Sequence, residues 1–237
     1  MGLNYFVFNG ESSLDHGIYV GGQGTYNAPQ RDVSKISVPG RNGDLIKDNG
    51  RWLNIQVPYN IVIMKDFLDR TDGIRAWLNE PVDYCRLEDT YHPDSYRLAR
   101  FAGPVEFETA AFNNAGKATV IFDCKPQRFL KSGEMLLPQT KNTMIFNPTR
   151  FPSRPLIRVT CTGSGTVTVG LYTITLSNIP TFVDIDSETQ DCYANDTSMN
   201  NKVSLSNGFP LLMPRGNIVT WTGDVTAVSI AGRWYTI

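Results

Sequence analysis

Short alternations of apolar and polar residues run through most of the chain, and they predict a mainly β protein. Leu53, Ile55 and Val57 alternate with polar residues, and residues 156–160 and 166–169 are two further runs of this kind. Clusters of Gly, Pro, Asn and Asp separate such runs about every ten residues, which is the spacing of an antiparallel meander of short strands. We predict many short strands and find no internal repeat.

One segment, residues 66–79, has the period of a helix instead. At spacings of three and four residues, one helical face of this segment contains Phe67, Thr71, Ile74 and Leu78. Pro81 ends the pattern, because proline cannot continue a helix. Gly73 in the middle costs about 1 kcal/mol relative to alanine, so we expect this helix to depend on packing against a sheet.

A hairpin is predicted where residues 33–38 lead into a turn-rich stretch. That stretch is Pro39-Gly40-Arg41-Asn42-Gly43-Asp44-Leu45. Asn-Gly accepts positive φ at both central positions of a type I′ turn, so we expect Asn42 and Gly43 to form the turn.

The pattern changes along the chain, and this change predicts two domains. Residues 1–130 combine strands with the helix. Residues 131–155 are rich in Pro, Asn, Thr and Arg with little periodicity, so we expect a boundary and linker there, with Met144-Ile145-Phe146 as an alternative start of the next domain. Residues 156–237 contain only strands, interrupted by a polar excursion over residues 186–201, and predict a β-sandwich or jelly roll.

The charge balance restricts the possible partners. The 237 residues include 22 basic and 23 acidic side chains, for a net charge of −1, with no long run of one sign. Proteins that bind nucleic acid or anionic membranes concentrate Lys and Arg, so neither role is expected. The start of the sequence lacks the basic and then apolar pattern of a signal peptide, and no apolar run approaches the about 20 residues of a membrane span. We therefore expect synthesis in a reducing cytoplasm.

Few residues carry the chemistry of catalysis or of metal binding. The chain has two histidines, His16 and His92, both in turns, and its four cysteines form no C-x-x-C pair. His92 lies near Glu88, Asp89 and Asp94, but acidic residues beside a proline are ordinary turn chemistry. The acid pairs Glu106 with Glu108 and Asp184 with Asp186 are expected on solvated strand faces. We predict no enzyme, no cofactor, no metal site and four reduced, mostly buried cysteines.

Several stretches, in this order and spacing, resemble the distal tail protein (Dit) family of long-tailed bacteriophages. The resemblance covers nearly the whole chain, although no single motif is diagnostic. Its segments are Phe8-Asn9-Gly10-Glu11-Ser12-Ser13, residues 17–20 and 29–32, Val38-Pro39-Gly40-Arg41-Asn42-Gly43-Asp44-Leu45, residues 77–78, 84–91 and 96–99, Phe122-Asp123-Cys124-Lys125-Pro126-Gln127-Arg128-Phe129-Leu130, and residues 147–157 and 185–189.

This resemblance implies a fold and a structural role. Residues 1–130 would be a belt domain, a β-sandwich or split barrel that pairs with copies of itself into a six-fold ring, and residues 156–237 a galectin-like β-sandwich. The ring would join the tail tube to the tail tip or baseplate of the virion, after assembly in the cytoplasm of the host bacterium. Its implied partners are the tail tube protein, the tape-measure protein, the tail-associated lysin or fibre and the receptor-binding protein. We expect the contacts between subunits at Pro39, Gly40, Arg41, Asn42, Gly43, Asp44 and Leu45.

Two alternatives stay open from the residues alone. The second domain would be a carbohydrate-binding module if Trp221 or Trp234 exposed a ring on which a sugar stacks, although a place in the sandwich core is the favoured interpretation of both tryptophans. A hydrolase would require two carboxyl groups that converge in one deep pocket.

Overall fold

The computed structural model describes residues 3–22 and 24–237, and these form two compact units. Unit 1 contains the described residues up to Arg128 together with Ile237, and unit 2 contains Phe129–Thr236. Met1 and Gly2, which belong to the start of the sequence where no signal peptide is expected, lie outside the described residues.

Unit 1 combines ten strands with one helix, as the alternation and the single helical period predict. Strand β10 continues into unit 2. The elements in chain order are β1 (Phe6–Phe8), β2 (Glu11–Ser12), β3 (Ile18–Gly21), β4 (Arg31–Ile36), β5 (Leu45–Trp52), β6 (Ile55–Ile63), α1 (Phe67–Asn79), β7 (Cys85–Asp89), β8 (Ser95–Phe101), β9 (Phe107–Ala110) and β10 (Ala115–Leu130).

The main sheet of unit 1 curls round until its two ends meet. Its strand order is β2-β1-β7-β8-β10-β6-β3, and β9 also pairs with β10. A bridge between Asn4 and Val20, with a 3.0 Å hydrogen bond from the Val20 N–H to the Asn4 carbonyl, joins β3 to the chain just before β1. Strands β4 and β5 lie outside this sheet and pair only with each other.

Aromatic side chains fill the interior of the curled sheet. Phe6 packs against Tyr59 and Trp77 with ring centroids 5.1 and 5.8 Å apart, and Phe8 lies 4.8 Å from Phe122. The predicted helix is confirmed: Phe67, Thr71, Ile74 and Leu78 of α1 are all buried, as is Trp77 beside them. None of the helices in the described residues has the length and apolar character of a membrane-spanning segment.

Unit 2 is built from strands and two short 3₁₀ turns. In chain order these are a 3₁₀ turn (Lys131–Gly133), β11 (Leu137–Pro138), β12 (Thr143–Asn147), β13 (Leu156–Val169), β14 (Tyr172–Ile179), β15 (Phe182–Asp186), β16 (Asp191–Ala194), β17 (Thr197–Ser198), a second 3₁₀ turn (Asn200–Lys202), β18 (Val203–Leu205), β19 (Arg215–Ala231) and β20 (Tyr235–Thr236).

Two long antiparallel strands, β13 and β19, run through both halves of the unit 2 sheet. Their first pairing, Leu156–Thr160 with Ala227–Ala231, adjoins β15, and their second, Gly165–Val169 with Val219–Gly223, adjoins β14. The register shifts between the two, where a Cβ added to Gly165 would lie 2.6 Å from the Thr222 carbonyl oxygen. Glycine therefore permits the close approach that lets the sheet bend around one core.

Two parts of unit 2 differ from the expectation. Residues 131–155, predicted as a linker, contain β11 and β12, both of which pair with β19. Residues 186–201, predicted as a polar interruption, contain β16 and β17, which extend the sheet beyond β15. Both segments lie at sheet edges, where polar and proline-containing strands are common. Their polar composition therefore did not predict strands.

A candidate self-assembly arm

The hairpin of β4 and β5 forms a projecting arm, defined here as residues 31–52. Every residue from Ser34 to Arg51 is exposed except the half-buried Val38. No residue of the arm belongs to either of the buried hydrophobic clusters. A two-stranded hairpin without a core is at best marginally stable in water, so the arm must be held by its own polar pairs or by something that covers it.

The base of the arm is organised by cross-strand polar pairs. Arg31 donates from Nε to both carboxylate oxygens of Asp48, each at 3.0 Å, and its guanidinium lies 4.9 Å from the centre of the Trp52 ring. On the other face, Arg51 Nε donates to Asp32 at 2.6 Å and Asn49 Nδ2 donates to the same carboxylate at 2.9 Å. A hydrogen bond from Arg31 lowers the pKa of Asp48, and hydrogen bonds from Asn49 and Arg51 lower that of Asp32, so both carboxylates stay charged.

The outer end of the arm carries exposed apolar side chains on both faces. Ile36 pairs with Leu45 on one face, and Ile46 faces Lys35 on the other. The exposed fractions of Ile36, Leu45 and Ile46 are 49, 40 and 67%. Apolar residues grouped on a projecting element mark a surface that another molecule covers.

The predicted turn is present as a hairpin connection, but its geometry differs. Pro39 and Gly40 form a turn closed by a 3.1 Å hydrogen bond from the Arg41 N–H to the Val38 carbonyl, and the φ of Gly40 is +79°. This is the Pro-Gly arrangement of a type II turn. Gly43 has φ +81°, but Asn42 is not in the positive-φ region, so Asn-Gly does not form the expected type I′ turn. Proline sets the turn because its ring fixes φ in advance.

The connecting loop has free space around it. A Cβ added to Gly40 or Gly43 would meet no atom within 4 Å. The resemblance pointed to residues 39–45, whereas the structure adds Ile36 and Ile46 as the exposed apolar residues beside that loop. The signals in the sequence are the short run of residues 33–38, with apolar residues at both ends, and the pair Leu45-Ile46, but burial in a strand would have explained both equally well.

The tryptophans proposed for sugar stacking are buried in the core of unit 2. Trp221 is 9% exposed and Trp234 is 7% exposed. Trp221 packs inside the cluster that contains Val167 and Val169, and an added Cβ on Gly232 would collide with the Trp234 ring. Stacking on a sugar needs an open ring face, so burial supports the favoured interpretation of both residues as core and excludes the stacking alternative.

The paired acids of β15 are buried, and arginines occupy their carboxylates. Asp184 and Asp186 are 3 and 5% exposed, which corrects the expectation of a solvated face. Arg158 donates to the two oxygens of Asp184 at 2.7 and 2.6 Å, and Arg233 to those of Asp186 at 2.7 and 2.9 Å. Burial opposes the charge on Asp186, but the hydrogen bonds from Arg233 and from backbone N–H groups outweigh it and lower its pKa. Neither carboxyl is arranged as a general acid.

Most of the other side chains considered for catalysis or metal binding either contact neighbouring side chains or are buried. His16 lies 3.0 Å from a carboxylate oxygen of Glu11 and stacks on Trp77 with ring centroids 4.1 Å apart. Glu108 forms a 2.8 Å ion pair with Lys117. All four cysteines are free, three of them buried, as predicted. Within the residues that the structure describes, no three His, Cys, Asp or Glu side chains are grouped to hold a metal ion.

Comparison with known proteins gives the same fold over the whole chain. No protein-family model and no curated protein matches the sequence. The crystal structure of the Dit protein of phage SPP1, described as a paradigm of the hub adsorption apparatus in phages that infect Gram-positive bacteria, matches with a TM-score of 0.79 and 12% identity over 100% of both chains. A chain of the phage P2 baseplate, in its activated conformation with Ca, matches with a TM-score of 0.55 and 9% identity over 97% of both chains. The chain therefore has the fold of a phage distal tail protein of the Dit type.

Proposed function

We propose that this chain is a structural protein of a bacteriophage tail tip, in which six copies form a ring between the tail tube and the tip or baseplate. The observation that carries the proposal is the arm, an exposed hairpin with an apolar outer end and no core of its own, in a chain with the fold of a phage hub protein. Covering such an arm is the task of a neighbouring subunit.

A second copy of the chain is a suitable neighbour on grounds of charge. The arm has five basic and three acidic residues and so carries +2, whereas the rest of the chain, which is −1 overall, carries −3. Lys35, Arg41 and Lys47 form no ion pair with other described residues and are free to meet acidic groups of the next copy. A contact between two different surfaces of identical subunits closes into a ring when its rotation closes.

The proposed ring is an assembly hub and not a catalyst. Its further partners are the tail tube protein, the tape-measure protein, the tail-associated lysin or fibre and the receptor-binding protein. The protein needs no cofactor for this task, binds no nucleic acid of its own, and is assembled in the host cytoplasm before it becomes part of the virion.

The test compares assembly of the full chain with assembly of a variant in which one exposed apolar side chain of the arm is replaced by a charged one. Light scattering over a wide range of concentration, with electron microscopy of the same samples, reports oligomers and rings. Replacement of the exposed Ile46 by glutamate is expected to weaken association by about tenfold or more, because it places a charge in a desolvated contact.

The matched control is Leu171→Glu. Leu171 is 76% exposed in the turn after β13, so this substitution should disturb folding as little as Ile46→Glu does. This variant should assemble as the unaltered chain does. A chain that is monomeric at every concentration, in isolation and when produced together with the other tail proteins, would contradict the proposal. So would rings that tolerate Ile46→Glu as well as they tolerate Leu171→Glu.

A further inference from the structure

Unit 1 contains a small cavity that the proposed ring does not use. Its volume is about 10 Å³, and it lies among side chains of β6, β7, β8 and β10 and of the turn after β7. Its polar lining includes Tyr59, Asp89, His92 and the two arginines Arg97 and Arg128. A space of this volume holds about one water molecule or an ion of similar size.

The single carboxylate in the lining is already engaged. Asp89 accepts hydrogen bonds from the Tyr59 hydroxyl at 2.7 Å and from the His92 backbone N–H at 2.8 Å, and its Oδ1 lies 3.1 Å from His92 Nδ1. These contacts tie the turn after β7 to the wall of the sheet. Asp89 forms no ion pair with either arginine of the cavity.

Arg97 is a buried cation without a carboxylate partner. It is 6% exposed, and its Nη1 donates to the Pro126 carbonyl at 3.2 Å, but its Nε is buried and has no hydrogen-bond partner. Burial, followed by the nearby charge of Arg128, lowers the pKa of Arg97. Buried charges in proteins are normally paired, so this guanidinium lacks a counter-ion.

A second arginine and a histidine also line this space. Arg128 lines the cavity and forms no ion pair with other described residues. His92 Nε2 is buried without a partner. With two arginines and one aspartate, the lining carries more positive than negative charge.

We propose that this cavity is a binding site for one small monovalent anion of the size of chloride, held by Arg97 and Arg128. Phosphate and sulfate are too large for a space of about one water molecule. The anion supplies the partner that the Arg97 Nε lacks and offsets the repulsion between Arg97 and Arg128. This site is independent of ring formation, so either proposal stands if the other fails.

The first test compares sodium chloride, sodium bromide and sodium gluconate at equal ionic strength, with the thermal midpoint (Tm) of the full chain as the readout. A ligand that binds the folded state raises Tm with its concentration, by roughly 2 °C or more for each tenfold increase above its Kd. Chloride and bromide are expected to raise Tm, whereas gluconate, which is too large to enter, is not.

The second test uses a matched pair of variants. Arg128→Gln removes one cation from the half-buried edge of the cavity and should abolish most of the halide effect. Arg100→Gln removes an exposed arginine of the neighbouring strand, which pairs with Asp123 at 3.3 Å, and should preserve the halide effect.

Crystals soaked in bromide locate the ion directly. Anomalous scattering is expected from the cavity, within hydrogen-bond distance of Arg97. A Tm that depends on ionic strength alone, together with a cavity that contains only water in bromide-soaked crystals, would overturn the proposal.

Discussion

The arm and the sandwich use the same arginine–aspartate pairing in opposite surroundings. In the arm, Arg31 donates to both oxygens of Asp48, and the Asp48 side chain is 47% exposed. In unit 2, Arg158 donates to both oxygens of Asp184, and the Asp184 side chain is 4% exposed. The two pairs have nearly the same geometry, and each connects neighbouring strands.

Burial decides what each pair contributes. In water, the attraction between two charges is screened, and an exposed pair adds little to stability. In unit 2 the Asp184 carboxylate is buried although the Arg158 side chain is 45% exposed, so loss of the guanidinium would leave a buried charge unsatisfied. We infer that the arm pairs shape a surface for a partner, whereas the sandwich pairs are part of the fold of unit 2.

The largest effect is expected from Asp186→Asn in the sandwich. The variant removes the charge that two guanidinium nitrogens of Arg233 contact and should lower the free energy of unfolding by roughly 2–4 kcal/mol. This lies near the lower side of the range for a broken buried pair because Arg233 is 30% exposed. Urea unfolding of the full chain measures it. The control is Glu188→Gln, whose 3.7 Å contact with Arg154 is exposed on both sides. Equal midpoints for the two variants would show that burial of the pair does not matter.

An intermediate effect is expected from acid. The folded state lowers the pKa of Asp186 below its ordinary value of 3.8, so its stabilising contribution is fully present above that pH and is lost as the pH falls through the lower, folded value. The free energy of unfolding should then decrease below pH 3.8, by up to about 1.4 kcal/mol per pH unit for this one proton. Urea midpoints of the unaltered chain and of Asp186→Asn should converge as the pH is lowered. A constant difference down to pH 2 would contradict the assignment.

The smallest effect is expected from Asp48→Ala in the arm. Its carboxylate also accepts a 2.8 Å hydrogen bond from the Gly50 N–H, but nothing in the core depends on it. The urea midpoint should stay unchanged, while amide hydrogen exchange within residues 45–52 becomes faster because the hairpin loses its cross-strand pair. A lower midpoint would mean that the arm is part of the cooperative fold of unit 1, and the comparison with the sandwich would fail.

Local patterns in the sequence predicted the elements that depend on local physics. The helix follows from the spacing of Phe67, Thr71, Ile74 and Leu78 and from Pro81, since helical hydrogen bonds join near neighbours. The hairpin follows from the turn residues at 39–45. Its turn type was missed because two turn signals, Pro-Gly and Asn-Gly, lie three residues apart and local preference alone does not rank them.

The features missed in unit 2 depend on distant neighbours. Thr143–Asn147 forms a strand because β19 offers an edge to it. The apolar residues 144–146 indicated a possible start of the second domain, but nothing within residues 131–155 shows the edge that they join. Asp184 and Asp186 lie two apart, which predicts a shared face but not whether that face is covered. Arg158 and Arg233, from strand β13 and from the end of the chain, cover them.

The amino-acid sequence by itself determined that this is a mainly β chain with one helix, nearly balanced charge and few proton-transferring side chains, because periodicity and composition can be read without a fold. Tertiary structure alone decided that residues 31–52 stand outside the sheet, that Trp221 and Trp234 are core, and that Arg97 is buried without a carboxylate partner. Burial and ion pairing are properties of residues far apart in the chain, and only folding brings those residues together.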